Sequence, residues 1–232
     1  MPKLRVARVD RIAQDVHLFE LRHPASATLP PFTAGAHVTV TAPNGARRKY
    51  SLCNDPAEVE RYEIAVKRDP AGHGGSVSLV DGVRAGDLVE VSDPRNAFEL
   101  APRAASFLFV AGGIGITPVM SMVRHLRATG NDRFRLYYCT RSPGATAFRD
   151  ELSAPGLGGK VTIHHDGGDP ARALDLWPLF EKPTPAHIYC CGPRPLLEAV
   201  RDMTGHWPAC AVHFESFVDA APPNARRIGP SR

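Results

Sequence analysis

The chain has 232 residues, 43% hydrophobic and 22% charged, with a formal net charge of +4. That length buries a sizeable core and accommodates two domains, and its scattered Lys and Arg lack the runs of a nucleic-acid tract. No stretch reaches the roughly 18–20 apolar residues of a membrane helix, and Met1-Pro2-Lys3-Leu4-Arg5-Val6 alternates as a strand does, without the apolar block of a signal peptide, so the chain is read as cytoplasmic.

Residues 4–9, 16–22, 37–41, 47–51, 62–67 and 88–91 read as short strands, divided by turn formers such as Pro30-Pro31, Pro43-Asn44-Gly45 and Asp55-Pro56. Many short strands punctuated in this way predict a small antiparallel β-barrel. Within 47–51 alternate residues share a face, so Arg48 and Tyr50 point one way and Lys49 and Ser51 the other. A guanidinium beside a phenol offers a charge for a phosphate and a flat ring for an isoalloxazine. One helix interrupts the strands, with Ser76 as its expected N-cap and Val77, Leu79, Val80 and Val83 apolar. The preceding Gly72-His73-Gly74-Gly75-Ser76 brings backbone N–H groups to the helix start as a second phosphate-binding element, with Lys67 as a further positive charge. Either piece alone reads more readily as a basic hairpin or a flexible glycine turn.

After Pro102 the texture changes, and the domain boundary is set there. Residues 107–111, Phe-Leu-Phe-Val-Ala, form an unbroken apolar run suited to a strand buried on both faces. Gly112-Gly113-Ile114-Gly115-Ile116-Thr117-Pro118 follows, the strand-to-helix context in which a pyrophosphate approaches a glycine backbone. It departs from GxGxxG, with Thr117 expected as N-cap and Pro118 as the first residue of a helix over 118–129, closed by Gly130. Strand-like and helix-like pieces then alternate at 134–139, 145–152, 160–165, 174–180, 187–191 and 195–203, predicting a parallel sheet wrapped by helices. Cys191-Gly192-Pro193 ends one such strand, where open α/β sheets bind ligands; the small, polarizable thiol of Cys191 suits contact with a nicotinamide. The tail over 218–232, with Pro222-Pro223 and Arg226-Arg227, reads as linker.

Five cysteines, two of them adjacent at Cys190-Cys191, do not form a disulfide framework, and without a CxxC pair no iron–sulfur ligand set is assembled. His164 and His165 are neighbours on a strand and face opposite ways, which makes them poor co-ligands, so no metal site is expected.

Taken together, Arg48-Lys49-Tyr50-Ser51-Leu52-Cys53-Asn54-Asp55, Gly72–Ser76, Val83-Arg84-Ala85-Gly86-Asp87, Pro94-Arg95-Asn96-Ala97-Phe98, residues 112–118, Ala147-Phe148-Arg149-Asp150-Glu151-Leu152, Cys191-Gly192-Pro193 and His213-Phe214-Glu215-Ser216-Phe217 resemble the phthalate dioxygenase reductase family. These are reductase components of Rieske aromatic-ring oxygenases, within the ferredoxin–NADP reductase-like superfamily, and the resemblance spans residues 1–217. It implies an N-terminal antiparallel β-barrel that binds FMN (1–102), a C-terminal doubly wound α/β parallel sheet that binds NADH (103–217) and a linker (218–232). It implies that Arg48 and Ser76, next to Gly74 and Gly75 and assisted by Lys67, hold the FMN phosphate. Tyr50 lies along the flavin and Ser51 approaches its reactive edge. Gly113, Gly115 and Thr117 line the pyrophosphate site, Cys191 with Gly192 and Pro193 neighbours the nicotinamide, and Glu215 and Phe217 close the other flavin face. The family's C-terminal plant-type ferredoxin domain has no counterpart here, so the 2Fe–2S cluster is expected on a missing or separate domain.

The expected reaction is hydride transfer from NADH to the flavin, then single-electron steps to that iron–sulfur partner and, through it, to a Rieske oxygenase. Hydride transfer needs no general base, which fits the absence of a catalytic triad. A weakly basic surface suits docking of an acidic protein partner, and a monomer is the default. The rival readings are a free-standing NAD(P)H-dependent flavin or ferric reductase and a non-catalytic flavin sensor. Nucleotide preference is open from the residues: Arg141-Ser142 suits a 2′-phosphate, whereas Asp166 is placed to reach a ribose and the resemblance points to NADH.

Overall fold

The computed structural model describes residues 1–217, so the linker expected over 218–232 lies outside the described residues. The first sheet comprises β1 (Lys3–Ala13), β2 (Val16–Arg22), β3 (His37–Thr41), β4 (Arg47–Ser51), β5 (Tyr62–Lys67) and β6 (Leu88–Val91), with α1 (Gly75–Gly82) between the last two. Its strand order is β4-β3-β6-β1-β2-β5 and every pairing is antiparallel. Alternation drives the curl: Leu4 and Val6, Val38 and Val40, Ile64 and Val66, and Val89 and Val91 enter one cluster, closed by Leu79 and Val80 of α1. An isolated bridge between Leu52 and Ile64 joins the two ends of the strand order just beyond β4. The sheet therefore rolls up toward a barrel, although no continuous ladder closes it.

The second sheet is parallel, built from β7 (Ser106–Gly112), β8 (Phe134–Thr140), β9 (Val161–His165), β10 (Ala186–Cys191) and β11 (Val212–Glu215) in the order β11-β10-β7-β8-β9. The connecting helices are α2 (Ile116–Ala128), the one-turn α3 (Arg149–Leu152) and α4 (Trp177–Phe180), and α5 (Arg194–Met203). β7 is central and buried on both faces: Phe107, Phe109 and Ala111 pack toward the first sheet, Val110 toward the outer helices. The winding reverses between β7 and β10, a topological switch point of the kind where such sheets bind ligands.

One apolar cluster runs through both units, combining Val16, Leu18, Ala34, Cys53, Ala65 and Phe98 with Phe109, Met120, Met122 and Tyr189. The Tyr189 hydroxyl adds a polar tie, donating to Glu99 O at 2.8 Å and accepting from Ala101 N at 2.7 Å in the connecting segment.

Helix starts depart from the sequence expectation. Gly113–Gly115 form a 3-10 turn that runs directly into α2, so Gly115, not Thr117, is the cap residue, and Thr117 and Pro118 already lie inside the first turn. The Thr117 hydroxyl donates back to Ile114 O at 3.0 Å instead of accepting a backbone N–H. Pro118 is tolerated because first-turn N–H groups have no intrahelical acceptor. In α1 the cap is Gly74, with φ of 77°, a left-handed conformation that glycine adopts without strain. The Ser76 hydroxyl is diverted to accept from Asp69 N at 3.1 Å. The helix expected over 145–152 splits into a 3-10 turn (Pro143–Ala145) and α3, because Phe148 adopts φ of 57° between them. The helix expected over 174–180 is confined to α4, where Asp175 Oδ1 accepts from Trp177 N at 3.0 Å and sets the start.

Candidate active site between the two sheets

Two elements on the first sheet meet at one corner. Arg48 in β4 lies against the start of α1: a Cβ on Gly75 would sit 3.0 Å from Arg48 Cγ and 3.3 Å from its Nε. Glycine at 75 thus leaves the guanidinium its place beside the free N–H groups of the α1 first turn, where the helix dipole favours an anion. Ser76 is in that turn and keeps its O–H proton for donation. Tyr50 shares the Arg48 face, and burial pushes its phenol up to about 12 against the opposing pull of Arg48, so it stays protonated at neutral pH. Lys67 is exposed at the end of β5, on the strand face opposite Val66, and makes no ion pair among the described residues.

The second sheet presents its own corner at the switch point. The 112–118 loop and Cys191-Gly192-Pro193 leave neighbouring strands, and their backbones touch. A Cβ on Gly115 would fall 2.2 Å from Cys191 O, and one on Gly192 would fall 3.0 Å from Gly112 Cα. Gly115 and Gly192 therefore serve loop-on-loop packing. Gly113 is different: its φ is 52° and a Cβ there would meet nothing within 4 Å, so its backbone faces open space. Thr117 is 2% exposed, with its hydroxyl turned into the loop. Pro193 is exposed and leads into α5.

Between the two corners three side chains converge. Parallel register pairs Cys191 with Glu215 at the carboxyl ends of β10 and β11. Burial pushes the Glu215 carboxyl up to about 7, against the opposing pull of the Ser51 hydroxyl and Lys49. Burial, then the Glu215 charge and Cys190, raise the Cys191 thiol well above its ordinary range, so it stays neutral. The Ser51 hydroxyl lies near the carboxylate without full hydrogen-bond geometry. Ser51 Oγ and Glu215 Oε2 are both buried, and neither has a hydrogen-bond partner among the described residues. Buried polar atoms are rarely left so. Two of them facing one cleft fit a ligand carrying its own polar edge, as a flavin ring does. Phe217, two residues past β11, is 38% exposed.

At the ends of β8 and β9, Asp166 Oδ1 accepts from Gly168 N at 2.7 Å and shapes its own turn. The exposed Arg141 lies over that turn, its Cδ 3.8 Å from the position of a Gly168 Cβ. His164 and His165 engage different partners, Arg172 O and the Thr140 hydroxyl.

Polar ties between the sheets carry no short motif in the sequence. Ser121 Oγ donates to Asn54 O at 2.9 Å and Arg124 Nη1 to Cys53 O at 2.8 Å, both from α2 to the segment just after Ser51. The signal was present: Thr117, Ser121 and Arg124 fall at helical spacing on the side of α2 whose other residues are apolar, away from His125 and Arg127.

Comparison with known proteins agrees with this division. Residues 3–100 match the oxidoreductase FAD-binding domain family and residues 109–160 the oxidoreductase NAD-binding domain family. The phthalate dioxygenase reductase of Burkholderia cepacia is 58% identical over 229 residues, covering 98% of this chain and 71% of that protein. The vanillate O-demethylase oxidoreductase of Pseudomonas putida is 39% identical, covering 97% and 70%. A solved phthalate dioxygenase reductase, described as a modular structure for electron transfer from pyridine nucleotides to 2Fe–2S, superposes with a TM-score of 0.92 at 57% identity over 97% of this chain and 70% of its own. With a flavin-binding and a nicotinamide-binding unit in that arrangement, the chain is an oxidoreductase that belongs to the phthalate dioxygenase reductase family.

Proposed function

We propose that this chain takes hydride from NADH onto FMN and passes electrons singly to a 2Fe–2S centre serving a Rieske-type aromatic oxygenase or O-demethylase. The observation that carries this reading is the convergence of Ser51, Glu215 and Cys191 between the flavin-side strand and the nucleotide-side loop. When bound, a flavin accepts the hydride and releases its two electrons one at a time. The residues supply position and solvent exclusion, the larger part of catalysis when two bound rings must meet.

Arg48 and the first turn of α1, with Ser76, hold the flavin phosphate, and Lys67 adds positive charge nearby. Tyr50 lies along the ring. Ser51 Oγ hydrogen-bonds its polar edge, and Glu215, which titrates near 7, holds or yields a proton there at neutral pH. Gly113 lets the pyrophosphate approach the backbone, and Cys191 offers a neutral, compact surface to the nicotinamide. Phe217, exposed at the end of the described chain, would cover the open face of the ring. On this reading residues 1–102 are the FMN unit, 103–217 the NADH unit and 218–232 a linker, in a cytoplasmic monomer. The 2Fe–2S centre is carried by a ferredoxin domain or a separate ferredoxin. Close similarity to oxygenase reductases at 58% and 39% identity supports the acceptor class. NADH is preferred to NADPH: Asp166 keeps one carboxylate oxygen beyond its turn for a ribose hydroxyl.

The test has three parts: mass measurement of the released flavin, turnover with NADH and with NADPH, and reduction of a plant-type 2Fe–2S ferredoxin. FMN, an NADH preference and ferredoxin reduction are expected. FAD would correct the cofactor alone. Fast turnover of free flavin or ferric chelates with no ferredoxin reduced would assign the chain to free-standing flavin reductases.

A further inference from the structure

We infer that Arg124 is a positioning residue for hydride transfer: its guanidinium, with Ser121, fixes the nucleotide loop against the flavin strand. The inference rests on the reading of the cleft given above and adds what sets its width.

The nucleotide loop runs without a break into α2, so Thr117, Ser121 and Arg124 move as one rigid face. The seven helical steps from Thr117 to Arg124 span about 10 Å. On the other side, Cys53 and Asn54 follow Ser51 directly. Ser121 Oγ donates to Asn54 O at 2.9 Å. The Arg124 fork does more: Nη1 donates to Cys53 O at 2.8 Å and to Glu63 Oε2 of β5 at 2.9 Å, while Nε and Nη2 hold both Glu151 oxygens at 2.9 and 2.6 Å. The Phe148 ring lies 5.4 Å from the guanidinium carbon. The partners are themselves anchored: Asn54 Oδ1 accepts from Glu63 N at 3.0 Å, and its Nδ2 donates to Arg61 O at 3.0 Å.

One planar group thus bonds the flavin strand's continuation, the neighbouring strand β5 and the loop bearing α3 at once. Lysine, a point charge on a flexible stem, cannot reproduce that fork. A cavity of about 300 Å³ lined by Asp55, Glu58, Arg61, Arg124 and Arg127 opens onto the same guanidinium from solvent. A small planar cation can therefore reach the position if the side chain is removed.

The experiment uses the full chain loaded with flavin, compared as wild type, Arg124→Ala, Arg124→Lys and Ser121→Ala. The readouts are the rate of flavin reduction at saturating NADH, the NADH dissociation constant and the long-wavelength charge-transfer absorbance of the nicotinamide–flavin pair. Arg124→Ala is expected to lower the reduction rate about 100-fold and weaken the charge-transfer band with NADH affinity nearly unchanged, because about 1 Å of misplacement costs that much. Added guanidinium ion restores rate and band, whereas methylammonium and the Lys variant do not. If Arg124→Ala fails to fold, Ser121→Ala carries the test, with a smaller loss of rate at unchanged affinity. A lower melting temperature with an unchanged reduction rate in the folded variants would overturn the inference. A wild-type protein that NADH does not reduce would overturn the underlying reading, and the inference with it.

Discussion

The flavin-side and nucleotide-side corners of this protein both carry glycines, for different physical reasons. At the flavin side, Gly74 supplies a left-handed cap and Gly75 leaves space that the Arg48 side chain takes. The neighbouring atoms there belong to side chains, those of Arg48 and Ala46, and not to backbone. At the nucleotide side, Gly115 and Gly192 are pressed against backbone, with Cys191 O at 2.2 Å and Gly112 Cα at 3.0 Å from where a Cβ would lie, and only Gly113 faces open space. A glycine-rich stretch is therefore a joint record of ligand approach and of chain packing. The place of the missing Cβ separates the two.

Substitutions break this contrast at graded cost. Gly115→Ala drives a Cβ into the Cys191 carbonyl and forces the two loops apart. A loss of about 3 kcal/mol in unfolding free energy is expected, read from denaturant titration, with NADH binding lost as well. Arg48→Ala is expected to leave the fold intact and to remove the charge-assisted contact to phosphate proposed for it. Flavin affinity should weaken by about 2 kcal/mol, measured by fluorescence titration, with NADH affinity unchanged.

Glu215 lies between the corners and reports on the cleft through pH. Its carboxyl titrates near 7 in the native protein against an ordinary value of 4.5, so between those values the native state holds a proton that the unfolded chain has released. Stability then falls as pH rises across that window and levels off above it, and Glu215→Gln should remove about 2 kcal/mol of that slope in melts taken across the range. Gly113→Ala is the mildest. At φ of 52° the methyl costs about 1 kcal/mol of backbone strain, and titration should show NADH weakened while flavin affinity holds.

The strands of the first sheet were readable, with 16–22, 37–41, 47–51, 62–67 and 88–91 matching β2 to β6: 37–41 and 88–91 alternate buried and open positions, whereas 16–22 and 62–67, buried on both faces, are marked by their β-favouring residues and the turns that bound them. The βα alternation after residue 102 was readable for a similar reason, an apolar run followed by an amphipathic one. Helix starts were not. Thr117 and Ser76 are strong capping residues by type, yet each hydroxyl found another partner, Ile114 O and Asp69 N, once the 3-10 turn and the left-handed Gly74 had set the chain direction. The site was readable as three motifs but not as a place. The nearness of Ser51 to Glu215 depends on how the two sheets pack, through a shared apolar cluster and through hydrogen bonds of Arg124, Ser121 and Tyr189 to partners far away in the chain.

The most direct measurement is anaerobic rapid mixing of the flavin-loaded protein with NADH, followed by the visible absorbance of the oxidised flavin. Full bleaching in a single turnover is expected, slowed by Ser51→Ala with little change in NADH affinity. A flavin that stays oxidised while NADH is demonstrably bound would mean that the two rings do not meet in this cleft.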